Sequence, residues 1–143
     1  MANGNQMSFA GFWRRVLAAV IDTLLLWLPG SLFTFFLKSK LLSIGWSKVE
    51  LAILDYIQLV IIWTLYYGFL ESSKIQGTLG KRLIGIKVTD IHGQRISFSR
   101  AIARALLQYV AILPLGIGIF MVAFTKRKQG LHDMIAKCLV IKR

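Results

Sequence analysis

What most limits this chain is an apolar run that contains charge. From Gly11 to Pro29 it reads Gly-Phe-Trp-Arg-Arg-Val-Leu-Ala-Ala-Val-Ile-Asp-Thr-Leu-Leu-Leu-Trp-Leu-Pro, which suits a membrane span. Yet it carries Arg15 at its mouth and Asp22 near its middle. A charge at bilayer depth costs several kcal/mol, on the order of 3 on insertion scales. Spanning alone does not require that cost. Arg15 and Asp22 are seven residues apart, so a helix presents them on nearly one face, with about 10 Å of rise between them. Direct contact therefore needs water or another helix. Two readings stay open. Asp22 is a proton- or ion-binding carboxylate tuned by Arg15, or the pair is a structural clamp with Arg15 snorkelling to the interface.

Composition sets the environment. The chain has 143 residues, 56% of them hydrophobic, and 18 Lys and Arg against 6 Asp and Glu. With a mean hydropathy of +0.63, that describes an integral membrane protein of one domain spanning residues 1–143. The basic residues flank apolar runs instead of forming one groove, which argues against nucleic acid and for anionic lipid headgroups as the acidic partner. Cys138 is the single cysteine, so no intramolecular disulfide forms. His92, His132 and Cys138 lack zinc spacing, and no nucleophile elbow or paired-acid motif occurs. We therefore expect no enzyme, no metal and no cofactor. Gly77-Thr-Leu-Gly-Lys-Arg82 has two residues between its glycines and Arg after its Lys, which excludes an ATP-binding phosphate loop. No cleavable leader is read at the N-terminus, and the first span is expected to persist as a signal anchor.

Taken in order, residues 1–10 form a small polar tail. Span one covers about 13–37, with Pro29-Gly30 expected to kink or end it. A loop from 38 to 48 carries Trp46 as an interfacial anchor. Span two covers about 49–70, with Asp55 and Gln58 on one face near its start and Trp63, Tyr66 and Tyr67 as an aromatic belt near its end. Residues 72–98 read as a β-hairpin outside the membrane, with strand 83–91, a turn at His92-Gly93 and a return at 95–98. Ser97 or Ser99 then caps a helix in which Arg100 and Arg104 share a face at the headgroup layer. The apolar stretch 101–124 is broken at Pro114 to Gly118. After it come Lys126-Arg127-Lys128, a short helix near 131–137 and a strand at 138–142. The expected fold class is an all-α integral membrane protein: two full spans, a broken third membrane segment, and a small cytoplasmic β cap from 72–98 and 126–143.

Positive residues mark the cytoplasmic side. Between the spans lie Lys38, Lys40 and Lys48, whereas seven basic residues fall in 72–104 and six after 124. The N-terminus, the 72–104 segment and the C-terminus are thus all expected in the cytoplasm of a bacterial inner membrane. Segment 101–124 is then re-entrant, and strand 139–141 can pair with 83–91; three plain crossings are the alternative.

Three motifs carry a family likeness. Arg15-Val-Leu-Ala-Ala-Val-Ile-Asp22 resembles the opening motif of the RDD family of membrane proteins, named for one arginine and two aspartates. Gly77-Thr-Leu-Gly-Lys-Arg-Leu-Ile-Gly-Ile-Lys-Val88 is similar to that family's middle segment. Gln129-Gly-Leu-His-Asp-Met-Ile-Ala136 resembles its C-terminal motif, with Asp133 at the second aspartate and Lys137-Cys138 as a small departure. The resemblance implies a membrane protein of unsettled role, connected with transport, including that of cations.

The residues themselves allow a cation or proton transporter or channel subunit, or a non-catalytic adaptor that binds a partner or anionic lipid. The expected site is Asp22, Arg15 and Asp133, with Asp133 pairing with Lys or Arg or acting as a helix-start acid. Asp55, Gln58 and His132 form a secondary polar path. Lys81, Arg82, Arg100, Arg104, Lys126, Arg127 and Lys128 are the expected headgroup contacts. A pathway enclosed by so few segments requires a homo-oligomer.

Overall fold

The computed structural model describes residues 8–112 and 117–143. Two long helices dominate it. Helix α1 (Phe12–Ser43) has 32 residues and α2 (Lys48–Ser72) has 25. Both exceed the roughly 20 apolar residues that a bilayer crossing needs. They run antiparallel: Lys38 pairs with Asp55, Gln58 Nε2 donates to Thr34 Oγ1 at 3.2 Å, and Tyr66 meets Asp22. Large apolar side chains such as Leu24, Phe33, Phe36, Ile53 and Phe69 lie exposed along both helices. Water would penalise that surface, whereas hydrocarbon solvates it.

Helix α1 does not end at Pro29 but continues to Ser43, so the expected loop of 38–48 shrinks to four residues. Lys38 and Lys40 ride on the helix instead. Neighbouring apolar turns in hydrocarbon leave the backbone no better option than helix on either side of a proline. Ser47 starts α2 with a capping box: its hydroxyl accepts from Glu50 N–H, and the Glu50 carboxylate accepts from Ser47 N–H at 2.8 Å.

Beyond α2, Thr78 caps the short helix α3 (Leu79–Leu83), which packs against α1. Strand β1 (Ile86–Asp90) follows and pairs antiparallel with β2 (Cys138–Lys142), Val88 opposite Val140. The pairing expected between 139–141 and 83–91 is therefore present. The hairpin return at 95–98 is not. Asp90 accepts N–H bonds from His92 (2.9 Å) and Gln94 (2.8 Å), which turns the chain, and Ser97 Oγ accepts from Arg100 N–H to start α4 (Phe98–Ile112). Both sides of β1 are already taken, one by β2 and the other by Gln76, whose carbonyl accepts from Val88 N–H at 2.6 Å.

Residues 8–10 are not a free tail. Ala10 N–H donates to the Val140 carbonyl and Lys142 N–H to that of Ser8, each at 2.8 Å. The reading of residues 1–7 lies outside the described residues. Ala10, Ala18, Ile86, Val88, Ile96, Ala101, Cys138 and Val140 form the core where this sheet meets the starts of α1 and α4.

Helix α4 runs back along α2, with Phe98 against Phe69 at one end and the Tyr109 hydroxyl against the Val60 carbonyl at the other. Helix α5 (Ile117–Phe124) then returns toward the sheet. Gly118 sits so close to Ala111 that an added Cβ would lie 2.9 Å from its side chain, and Phe120 stacks on Phe12. Helix α5 thus packs back against the end of α4. The predicted break at Pro114 to Gly118 falls largely on 113–116, which lie outside the described part; Gly118 itself is helical. The short helix α6 (Leu131–Ile135) follows.

Candidate functional site: a buried charge network

Asp22 stands in the third turn of α1 and is fully buried. Its carboxylate accepts from the Tyr66 hydroxyl at 2.7 Å, from the Thr78 hydroxyl, and from Gly80 N–H at 2.7 Å. All three donors are neutral, and two of them open α3, where an acid is favoured. Arg15 does not turn toward Asp22. It pairs with Asp133 and donates to the carbonyls of Lys128 and Ala10, because α6 brings a carboxylate to its own end of the helix.

Asp133 is the hub. It accepts from Arg15, from Arg104 Nε at 2.8 Å and from Gly130 N–H at 3.2 Å. Arg104 in turn donates through Nη1 to both Glu71 oxygens, at 2.8 and 2.7 Å. Glu71 also pairs with Lys81, whose ammonium lies 4.6 Å from the centre of the Tyr67 ring. Five elements thus contribute to one network of Arg15, Glu71, Lys81, Arg104 and Asp133. With Asp22 the carboxylates number three, against buried Lys81 and Arg104 and half-buried Arg15. That balance is what makes burial tolerable, since an unpaired buried ion costs several kcal/mol.

Two expected headgroup contacts are corrected by this geometry. Lys81 and Arg104 are 5% and 1% exposed and face inward, because α3 and α4 pack their basic side chains onto Glu71. Arg82, Arg100, Lys126 and Arg127 are exposed, and Lys128 is half-buried. Glu71 went unread in the sequence although a signal existed. An acid in the last turn of an apolar helix opposes the helix dipole and needs a partner.

Asp55 and Gln58 lie apart from the network. They face α1 and line a cavity of about 540 Å³ between the two long helices. No hydrogen bond among the described residues joins them to Asp22. No group of three metal-ligating side chains occurs among the described residues either.

Two groups here are sensitive to acid. Burial of Asp133 would raise its pKa, but the guanidinium of Arg104, then that of Arg15, overcomes burial and holds it well below the usual carboxylate range. Burial of His132 pushes its pKa down to about 4, against the pull of Asp133 and with Arg104, Arg15 and Lys81 adding repulsion. The unfolded chain therefore takes up the histidine proton first as pH falls. Stability is expected to drop between pH 6.5 and about 4 by on the order of 3 kcal/mol. Thermal unfolding in detergent across that window measures it, and His132→Gln should flatten the slope. A wild-type midpoint that does not move from pH 6.5 to 4.5 would contradict the buried neutral imidazole.

Comparison with known proteins places the chain. The RDD family profile matches residues 9–137. The uncharacterized protein YxaI of Bacillus subtilis (strain 168) is 34% identical, with 92% of this chain and 96% of that protein covered. The uncharacterized membrane protein YteJ of the same organism is 30% identical, with 94% and 81% covered. No solved structure matches. The three sequence motifs thus meet in one place, since Arg15, Asp133 and the segment bearing Gly80 and Lys81 all converge where cap and spans join, and the chain belongs to the RDD family of membrane proteins.

Proposed function

We propose that this protein is a subunit of a transporter or channel for protons or small cations, without enzymatic activity. The observation that carries this reading is Asp22. It is a fully buried carboxylate inside an apolar helix, and its direct partners are all neutral. A passive anchor has no use for such a group, whereas a proton or monovalent cation can bind and leave it. The proposed setting is a bacterial inner membrane, crossed by α1 and α2, with 101–124 re-entrant and the N-terminus in the cytoplasm. Residues 8–10, β1 and β2 share one sheet, which favours one side for all three. The exposed Arg82, Arg100, Lys126 and Arg127 would meet anionic headgroups. Two spans and one doubled-back segment do not enclose a pathway, so the working unit is a homo-oligomer.

A second reading has its own support. Asp22 accepts three hydrogen bonds, two of which dock α3, as a clamp would, which fits a non-catalytic adaptor binding a partner protein or lipid. Flux in proteoliposomes separates the two. Wild type is expected to move protons or sodium ions. Asp22→Asn should lose that flux while remaining folded and equally oligomeric, and Tyr66→Phe should alter its pH dependence while leaving the fold intact. Absence of flux from well-folded wild type would leave the adaptor.

A further inference from the structure

A cavity of about 210 Å³ lies among α1, α2, α4 and α5, beside the charge network. Its polar walls are Arg15, Tyr67, Lys81, Arg104, Gln108 and His132, and no carboxylate lines it. Several of these groups keep hydrogen-bonding capacity. Arg104 binds Asp133 through Nε and Glu71 through Nη1, which leaves Nη2 without a partner among the described residues. Lys81 gives its ammonium to Glu71 and retains further hydrogens. The Tyr67 hydroxyl and the Gln108 amide have no hydrogen bond among the described residues. His132 is 4% exposed, and its Nδ1 is buried with no partner.

We infer that this cavity is a binding site for a small inorganic anion, of halide or single-oxyanion size, held by Arg104, Lys81, Tyr67 and Gln108. Three cations line it, and the carboxylates that offset them, Glu71 and Asp133, are not among its lining residues. An anion at the centre relieves the repulsion among the cations and accepts the remaining donors. The volume is several times the roughly 30 Å³ share of one water, so the ion fits with part of its hydration shell. His132 Nε2 lies 3.3 Å from Asp133 Oδ1, and a proton placed there by the carboxylate leaves Nδ1 to accept from a water of that shell. Entry does not require the ion pairs to open. An adjoining cavity of about 200 Å³ shares Tyr67 and Gln108 with this one, and shares Leu59 and Trp63 with the α1–α2 cavity.

Bromide is the probe. Purified full-length protein in detergent is titrated with sodium bromide, with sodium HEPES as the bulky counterpart at constant ionic strength. A saturable rise in melting temperature of roughly 5–10 °C is expected at a hundredfold excess over Kd. Tyr67→Phe and Gln108→Leu should each raise the half-saturating bromide concentration about tenfold. Stabilisation equal in HEPES, or the same midpoint in both variants, would overturn the assignment. Should either variant fail to fold, bromide-soaked wild-type crystals decide it. An anomalous peak beside Arg104 Nη2 supports the site, and its absence refutes it.

Discussion

Arg104→Met is expected to release the cap from the spans. Among the described residues Arg104 is the one side chain that bridges two buried acids, with Nη1 on Glu71 and Nε on Asp133. Without it, Glu71 keeps only Lys81 and Asp133 keeps only Arg15 as a charged partner at salt-bridge distance. Removing one member of a buried ion pair costs about 3–5 kcal/mol, because the remaining charge stays desolvated. Total stabilities of about 5–15 kcal/mol make that a large fraction. Arg104→Lys should recover little, since a single ammonium cannot present the planar fork that spans two carboxylates. Denaturant unfolding in detergent is the measurement. An Arg104→Met midpoint within about 1 kcal/mol of wild type would mean that the two acids are solvated and the network is loose.

Gly80→Ala should be nearly as damaging, through sterics and not charge. The Cβ would press into the carbonyl oxygen of Ala18 and stand 2.9 Å from the Asp22 carboxyl carbon. Neither can yield: one is helix backbone, and the other is held by three donors. Helix α3 must move off α1, losing the Gly80 and Thr78 hydrogen bonds to Asp22. Overpacking costs about 1–3 kcal/mol, and a buried carboxylate left short of donors adds about 1–3 more. Leu83 is the control, because it is exposed on the same helix and its replacement by Ala should change stability little. If Gly80→Ala melts with wild type, α3 does not dock as described.

The long elements were legible because their signal is local. An apolar run above 20 residues has few options, so both long helices were readable, as were α6 and β2. Boundaries were less so: Pro29 punctuates soluble helices but did not stop α1. The hairpin at 83–98 failed because β-branched content identifies a strand without naming its partner, and that partner arrived some 50 residues later in β2. Arg15, Asp22 and Asp133 stood out as charges in or beside apolar sequence. Their pairing did not. The seven-residue spacing suggested Arg15 with Asp22, whereas tertiary approach matched Arg15 to an acid 118 positions away. Lys81 and Arg104 were misplaced for a similar reason. Headgroup-facing and inward-facing basic residues look alike in sequence until the acid that claims them is located, and Glu71 had been passed over.

The order in which the network is made has its own consequence. Arg15, Glu71, Lys81 and Arg104 all leave the ribosome before Asp133, which lies 29 residues beyond Arg104. Chains emerge N-terminal end first, so both long helices can enter the bilayer while two guanidinium groups still lack their shared acid. Until then β1 also lacks the strand that covers its edge. Arrival of α6 and β2 neutralises the pair, closes the sheet and ties residues 8–10 to the last strand in a single event. A chain that ends before that point therefore leaves Arg15 without its acid and β1 with an open edge. The finished protein closes both at once, so the first and last described segments of the chain are held by the same late step.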